Sequence, residues 1–141
     1  MRLLIHTDGA ARGNPGPAGA GAVLRDGEGH VVAEIAQPLG RATNNVAEWT
    51  AVLLALEEAR RLGATHVDLR MDSELVARQI SGIYRVKHPD LRPLHAAVVE
   101  LLEGLDGYTV GHVPRALNVD ADRLSNVAID RGGPASRPTP I

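Results

Sequence analysis

Four acidic positions stand where the pattern of the chain changes: Asp8 in Thr7-Asp8-Gly9, Glu48 early in a helical run, Asp72 in Met71-Asp72-Ser73, and Asp120 or Asp122 at the head of the last helical run. Each alone has an ordinary explanation. Asp8 and Asp72 suit turns, Asn45-x-x-Glu48 has capping-box spacing, and Asp120 suits an N-cap. Together they are costly, because carboxylates at close range raise one another's pKa unless a cation is present. Oxygen donors without Cys or a close His pair suit Mg²⁺ or Mn²⁺. Two such ions in a carboxylate cluster clamp the attacking and leaving oxygens of a phosphodiester.

The elements that must position these groups follow from periodicity. Period-two apolar runs predict strands over Arg2 to Asp8, Ala18 to Arg25 and His30 to Pro38, the last two joined by the turn Asp26-Gly27-Glu28-Gly29. Trp49, Val52, Leu53, Leu56, Ala59 and Leu62 at three- and four-residue steps predict a helix over 44–62, with Asn44 or Asn45 as its cap and Gly63 as its stop. A fourth strand ends at Asp72-Ser73, helices follow over 74–81 and 91–102, a fifth strand covers Tyr108 to Val113, and a last helix runs from Val119 to Asp130. The order βββαβααβα is an α/β alternation. A right-handed crossover leaves the first and fourth strands parallel and adjacent. Asp8 and Asp72, each ending its strand, then meet at the carboxyl edge of the sheet, where open α/β sheets place their sites. Glu48, four residues before Val52 and eight before Leu56, points toward the sheet.

Composition sets the remaining bounds. The 141 residues predict one compact domain over 1–132 and a disordered Pro-rich tail over 133–141, with three prolines between Pro134 and Ile141. No Cys excludes disulfides, thiolate metal sites and a cysteine nucleophile, and fits a cytoplasmic location. The start of the chain is too short in apolar residues for a signal peptide, and no run approaches the roughly 20 apolar residues of a membrane helix. Aromatics are 2% of the sequence, which excludes large stacking platforms for single-stranded nucleic acid. The formal charge of −2 excludes a general basic field, yet setting aside four metal-ligand carboxylates leaves +2 on the rest of the surface. Neither G-x-G-x-x-G nor a P-loop lysine occurs, so the glycine-rich start is not a nucleotide-cofactor loop.

Read together, Thr7 to Gly19, Ala42-Thr43-Asn44-Asn45-Val46-Ala47-Glu48, Met71-Asp72-Ser73-Glu74 and Asn118-x-x-Ala121-Asp122-Arg123-Leu124-Ser125 resemble type I ribonucleases H, over about residues 2 to 131. The resemblance implies a ribonuclease H-like α/β fold: a five-stranded mixed sheet, its first three strands antiparallel, with helices on both faces. It places the family's catalytic and metal-binding carboxylates on Asp8, Glu48, Asp72 and Asp122, preferring Asp122 to Asp120 because Ala-Asp-x-Leu-Ser is similar to the family's last motif. It further implies two Mg²⁺ ions, with Mn²⁺ able to substitute. The reaction implied is endonucleolytic hydrolysis of the RNA strand of RNA/DNA hybrids to 5′-phosphate and 3′-hydroxyl ends.

An enzyme that cuts RNA and spares DNA must contact 2′-hydroxyls. Gly9 and its loop, Asn14, Asn44 and Asn45 are similar to the family's sugar contacts, and Thr43 with Asn14 matches its pocket for a DNA-strand phosphate. Two departures stand out. The long basic protrusion of many members is replaced by the short Ile83 to Asp90 segment, as in a bacterial and archaeal subgroup, which leaves Arg85, Lys87 and Arg92 as a minimal phosphate track. The loop after the fifth strand carries Arg115 where better-known members carry His. Arg115 can steady a phosphate but cannot shuttle a proton, and His112 is a secondary candidate. The expected partner is an RNA/DNA hybrid, with double-stranded RNA second, bound by a monomer without a membrane. The competing readings are a catalytically weak module that binds hybrid or double-stranded RNA, another phosphodiester-cutting nuclease of this fold, and a Ca²⁺-stabilised structural domain.

Overall fold

A computed structural model of the chain describes residues 1–132; the expectation for the Pro-rich tail lies outside the described residues. Three strands come first: β1 (Arg2–Ala11), β2 (Gly16–Arg25) and β3 (Val31–Ala42). They are followed by α1 (Asn44–Arg61), β4 (His66–Met71), α2 (Glu74–Ile80), α3 (Arg92–Glu103), β5 (Gly107–His112), a 3₁₀ turn at Arg115–Leu117 and α4 (Val119–Gly132). The sheet order is β3-β2-β1-β4-β5. β1, β2 and β3 pair antiparallel, while β4 runs parallel to both β1 and β5.

The two sheet faces are closed differently. On one, Leu3 and Ile5 of β1, Ala22 and Leu24 of β2, and Val67, Leu69 and Met71 of β4 bury against α1, α2 and α3. This core is aliphatic around Trp49, whose indole Nε1–H donates to Gln79 Oε1 at 3.3 Å and whose ring meets His95 edge-on at 5.6 Å. Its polar tip is thus satisfied inside an apolar layer. On the other face α4 lies flush on β2. A Cβ added at Gly19 would sit 2.4 Å from the Ser125 carbonyl oxygen, and one at Gly21 2.4 Å from that of Ala121.

Three expectations need correction. β1 continues three residues past Asp8, so Asp8 does not end its strand: beyond Thr7 it keeps its partners on β2, as Asp8↔Gly21, and loses them on β4, where the last pair is Thr7↔Met71. The cap of α1 is Thr43, whose Oγ1 accepts the Val46 N–H at 3.2 Å, in place of Asn44 or Asn45. Glu48 therefore lies beyond the first turn, and capping does not account for it. Asp120 does not cap α4 either. It lies in the first turn and pairs with Arg25 at 2.8 Å.

Candidate active site

The carboxyl edge of β1 and β4 is where the acidic residues gather. Asp8 stands where β1 parts from β4, and Asp72 is the residue after β4 ends. Glu48 reaches them because α1 crosses β1 at near-zero clearance over Gly9, where an added Cβ would lie 2.2 Å from the Ala47 carbonyl carbon and 2.3 Å from the Glu48 nitrogen. Any side chain at position 9 would lift the helix and Glu48 with it. Asp122 arrives on the first turn of α4, its N–H bonded to the Asn118 carbonyl at 3.1 Å.

Two of the four carboxyls register the charge of the others. Asp8 is buried, and its carboxyl is pushed up to about 8, first by loss of solvent, then by the charge of Asp72, by a hydrogen bond and charge from Asp122, and by Glu48. Glu48 is raised as well, chiefly by burial and also by Asp72, with a hydrogen bond from the Ser73 hydroxyl working in the opposite direction. Ser73 also caps α2 by accepting the Val76 N–H at 3.2 Å. The one cation in salt-bridge reach of the four, among the described residues, is Arg115, 3.7 Å from Asp122.

This is a set of hard oxygen donors with a surplus of negative charge, the chemistry a divalent cation satisfies. Asp8, Glu48, Asp72 and Asp122 are the residues that fit such an ion. Among the described residues, no three His, Cys, Asp or Glu side chains are already drawn together tightly enough to hold one.

The other predicted residues fall in three places. Asn14 and Asn44 join the β1–β2 loop to the start of α1: Asn14 Oδ1 accepts the Asn44 N–H at 3.1 Å, and Asn44 Oδ1 accepts the Ala11 N–H at 2.9 Å. Asn45 is exposed beside them and Thr43 is half-buried as the cap. Arg115 and His112 are exposed at the same sheet edge, His112 pairing with Met71 next to Asp72. Arg85 and Lys87 are exposed on the α2–α3 segment and line a cavity of about 520 Å³ with Arg92, His95 and Tyr84. Gln79 fixes that segment, its Nε2 donating to the Arg85 carbonyl at 3.2 Å.

Two residues given no role from sequence belong to the architecture of the site. Gln79 is a buried polar residue in an otherwise apolar helix face, a signal that could have been read. Asn118 is 2% exposed and its Nδ2 donates to the Thr7 carbonyl at 2.9 Å. Its place one helical turn before Asp122 was the available clue.

The mixed sheet and its crossover define an α/β domain with an acidic carboxyl edge. The reverse transcriptase-like family model matches residues 6–128. Ribonuclease HI of Halobacterium salinarum is 48% identical over 92% of this chain and 65% of its own length. The N-terminal RNase H domain of a Mycobacterium tuberculosis protein superposes with a TM-score of 0.90 at 46% identity, covering 92% of this chain and 100% of that one. LC11-RNase H1, solved in complex with an RNA/DNA hybrid and isolated from compost, gives 0.87 at 41% identity over 92% and 98%. The chain belongs to the type I ribonuclease H family. It spans 65% of the Halobacterium relative and 36% of the curated mycobacterial ones.

Proposed function

We propose that the chain is a ribonuclease H that cleaves the RNA strand of RNA/DNA hybrids, with Asp8, Glu48, Asp72 and Asp122 holding two Mg²⁺ ions, for which Mn²⁺ can substitute. The observation that carries this reading is the convergence of carboxylates from β1, α1, the end of β4 and α4 on one sheet edge, where Asp8 is raised by burial and by the other three. The hybrid bound by LC11-RNase H1, at 41% identity, supports the substrate class.

Bound at this edge, the ions would supply Lewis-acid stabilisation of the oxygens around the scissile phosphorus. The chain's own residues do the rest. The carboxylates orient the reacting centre so that a water oxygen bonds to phosphorus while the P–O3′ bond breaks, the 3′ oxygen leaving with a proton and the phosphate staying on the 5′ end. Asn14, Asn44 and Asn45, with the backbone at Gly9, read sugar hydroxyls along the hybrid, and Thr43 with Asn14 receives a DNA-strand phosphate. The bonds from the Asn44 N–H to Asn14 and from the Ala11 N–H to Asn44 pre-set this part of the rim before substrate arrives. Arg115 steadies a phosphate near Asp122. Arg85, Lys87 and Arg92 form a short secondary phosphate track, and His112 is a second candidate at the edge of Asp72.

The test is cleavage of an end-labelled RNA strand, paired to DNA, paired to RNA, or single, in Mg²⁺ and in Mn²⁺. Hybrid-selective cuts leaving 5′-phosphate ends are expected. Asp72→Asn keeps the shape of the side chain and removes a charge, so its rate should fall at least about 100-fold with hybrid binding retained. Parental cleavage by that variant overturns the four-carboxylate reading. Bound hybrid without cuts by the parent protein places the chain among binding modules instead.

A further inference from the structure

Asn118 occupies the joint between three parts of the candidate site. Its side-chain Nδ2 donates to the carbonyl of Thr7, the residue before Asp8, across a separation of 111 residues. Its carbonyl accepts the N–H of Asp122 at 3.1 Å, and its own N–H donates to the carbonyl of Arg115 at 2.9 Å. One residue thus holds the strand that carries Asp8, the helix turn that carries Asp122 and the 3₁₀ turn that carries Arg115.

The side-chain bond is not an incidental surface contact. Asn118 is among the fully buried polar residues, so its donor has no solvent to fall back on. The direction of the amide is set as well: the Thr7 carbonyl can only accept, so the amide nitrogen must face it and Oδ1 must face away. Among the described residues Oδ1 has no partner, and neither does the buried Nδ1 of His6; both residues line a cavity of about 240 Å³ together with Leu117, Val119, Arg25 and Asp120. The backbone bonds to Asp122 and Arg115 are available to any residue at position 118. The bond to Thr7 requires a short side chain with an N–H at its end.

We propose that Asn118 is a positioning residue that fixes the separation of Asp8 and Asp122 through its Nδ2 bond to the Thr7 carbonyl. The inference rests on the carboxylate reading given above. The spacing of two ligands on different elements sets how well both engage one ion, so loosening the joint weakens ion binding and slows the reaction while leaving the sugar- and phosphate-reading rim intact.

Asn118→Asp keeps the shape and replaces the donor by an acceptor; Asn118→Ser, which cannot reach Thr7, serves if the first variant does not fold. A core variant remote from the edge, Val98→Ala on α3, serves as a control for lost stability. Each protein is assayed about 20 °C below its own Tm, the usual range in which native population is complete. For Asn118→Asp we expect kcat to fall roughly 10- to 100-fold with KM for hybrid unchanged, and Mn²⁺ binding measured calorimetrically without substrate to weaken by a similar factor. Val98→Ala should keep kcat and Mn²⁺ affinity. Unchanged Mn²⁺ affinity in both Asn118 variants overturns the proposal, as does an equal loss in Val98→Ala. Asp72→Asn separates the two ideas: if it is inactive while Asn118→Asp cleaves like the parent, the positioning role alone fails; if it cleaves like the parent, the carboxylate reading fails first.

Discussion

At the scale of the residue, Asp8 concentrates the electrostatic strain of the protein. Its carboxyl sits near 8 in the fold against about 4 in an unfolded chain, because burial and three neighbouring carboxyls all disfavour its charge. Below about pH 4 both states are protonated and the strain is absent. Between about pH 4 and 8 the unfolded chain has released the proton that the native state still holds, so native stability declines as pH rises through that window. In EDTA, Asp8→Asn should therefore raise Tm by roughly 5 °C or more at pH 8 and leave it unchanged at pH 4. A thermal melt series across pH checks this, and equal gains at both ends would remove the repulsion argument. Asp8, Glu48 and Asp72 stood out in sequence as acids at element junctions, whereas the choice of Asp122 over Asp120 rested on the family resemblance. Asn118 stood in the same motif as Asp122 but was given no role, because its bond to Thr7 joins residues 111 apart, a pairing that spacing does not reveal.

At the scale of the element, the site depends on helices lying unusually close to strands. Period and turn residues predicted every strand and helix, and the parallel placement of β1 beside β4 followed from crossover handedness. What periodicity could not give was where pairing stops. β1 remains a strand after leaving β4 because β2 alone continues to pair with it, so Asp8 sits at a fork in the sheet and not at a strand end. The 3₁₀ turn of Arg115–Leu117 was likewise invisible, since three residues carry no period. Nor did the sequence explain why β2 alternates glycine with alanine. The packing of α4 does: this helix, which carries Asp122, rests its backbone on Gly19 and Gly21. Gly21→Ala should push α4 outward, costing about 2–3 kcal/mol, a Tm loss of roughly 10 °C. Cleavage at matched distance below Tm should fall too, because Asp122 moves with its helix. A stable Gly21→Ala with parental activity would show that α4 tolerates displacement.

At the scale of the molecule, charge is divided between an acidic edge and a sparse basic track. The net charge is −2, and the cations proposed to meet a phosphate backbone, Arg85, Lys87, Arg92 and Arg115, are few and exposed. If three phosphates are neutralised, hybrid binding should weaken roughly 40-fold between about 50 and 200 mM salt. A flat titration of affinity against salt would remove these residues from the interface. No helix among the described residues is long and apolar enough to cross a membrane. The contact between Asn118 and Thr7 spans nearly the whole described chain, and it has a consequence in time. Three of the four acids come from β1, α1 and the end of β4, within the first 72 residues, whereas the fourth comes on α4 and requires closure across more than 100 residues. On the proposed function, recovery of cleavage during refolding should lag recovery of sheet structure and coincide with the docking of α4, which stopped-flow circular dichroism beside a cleavage assay checks.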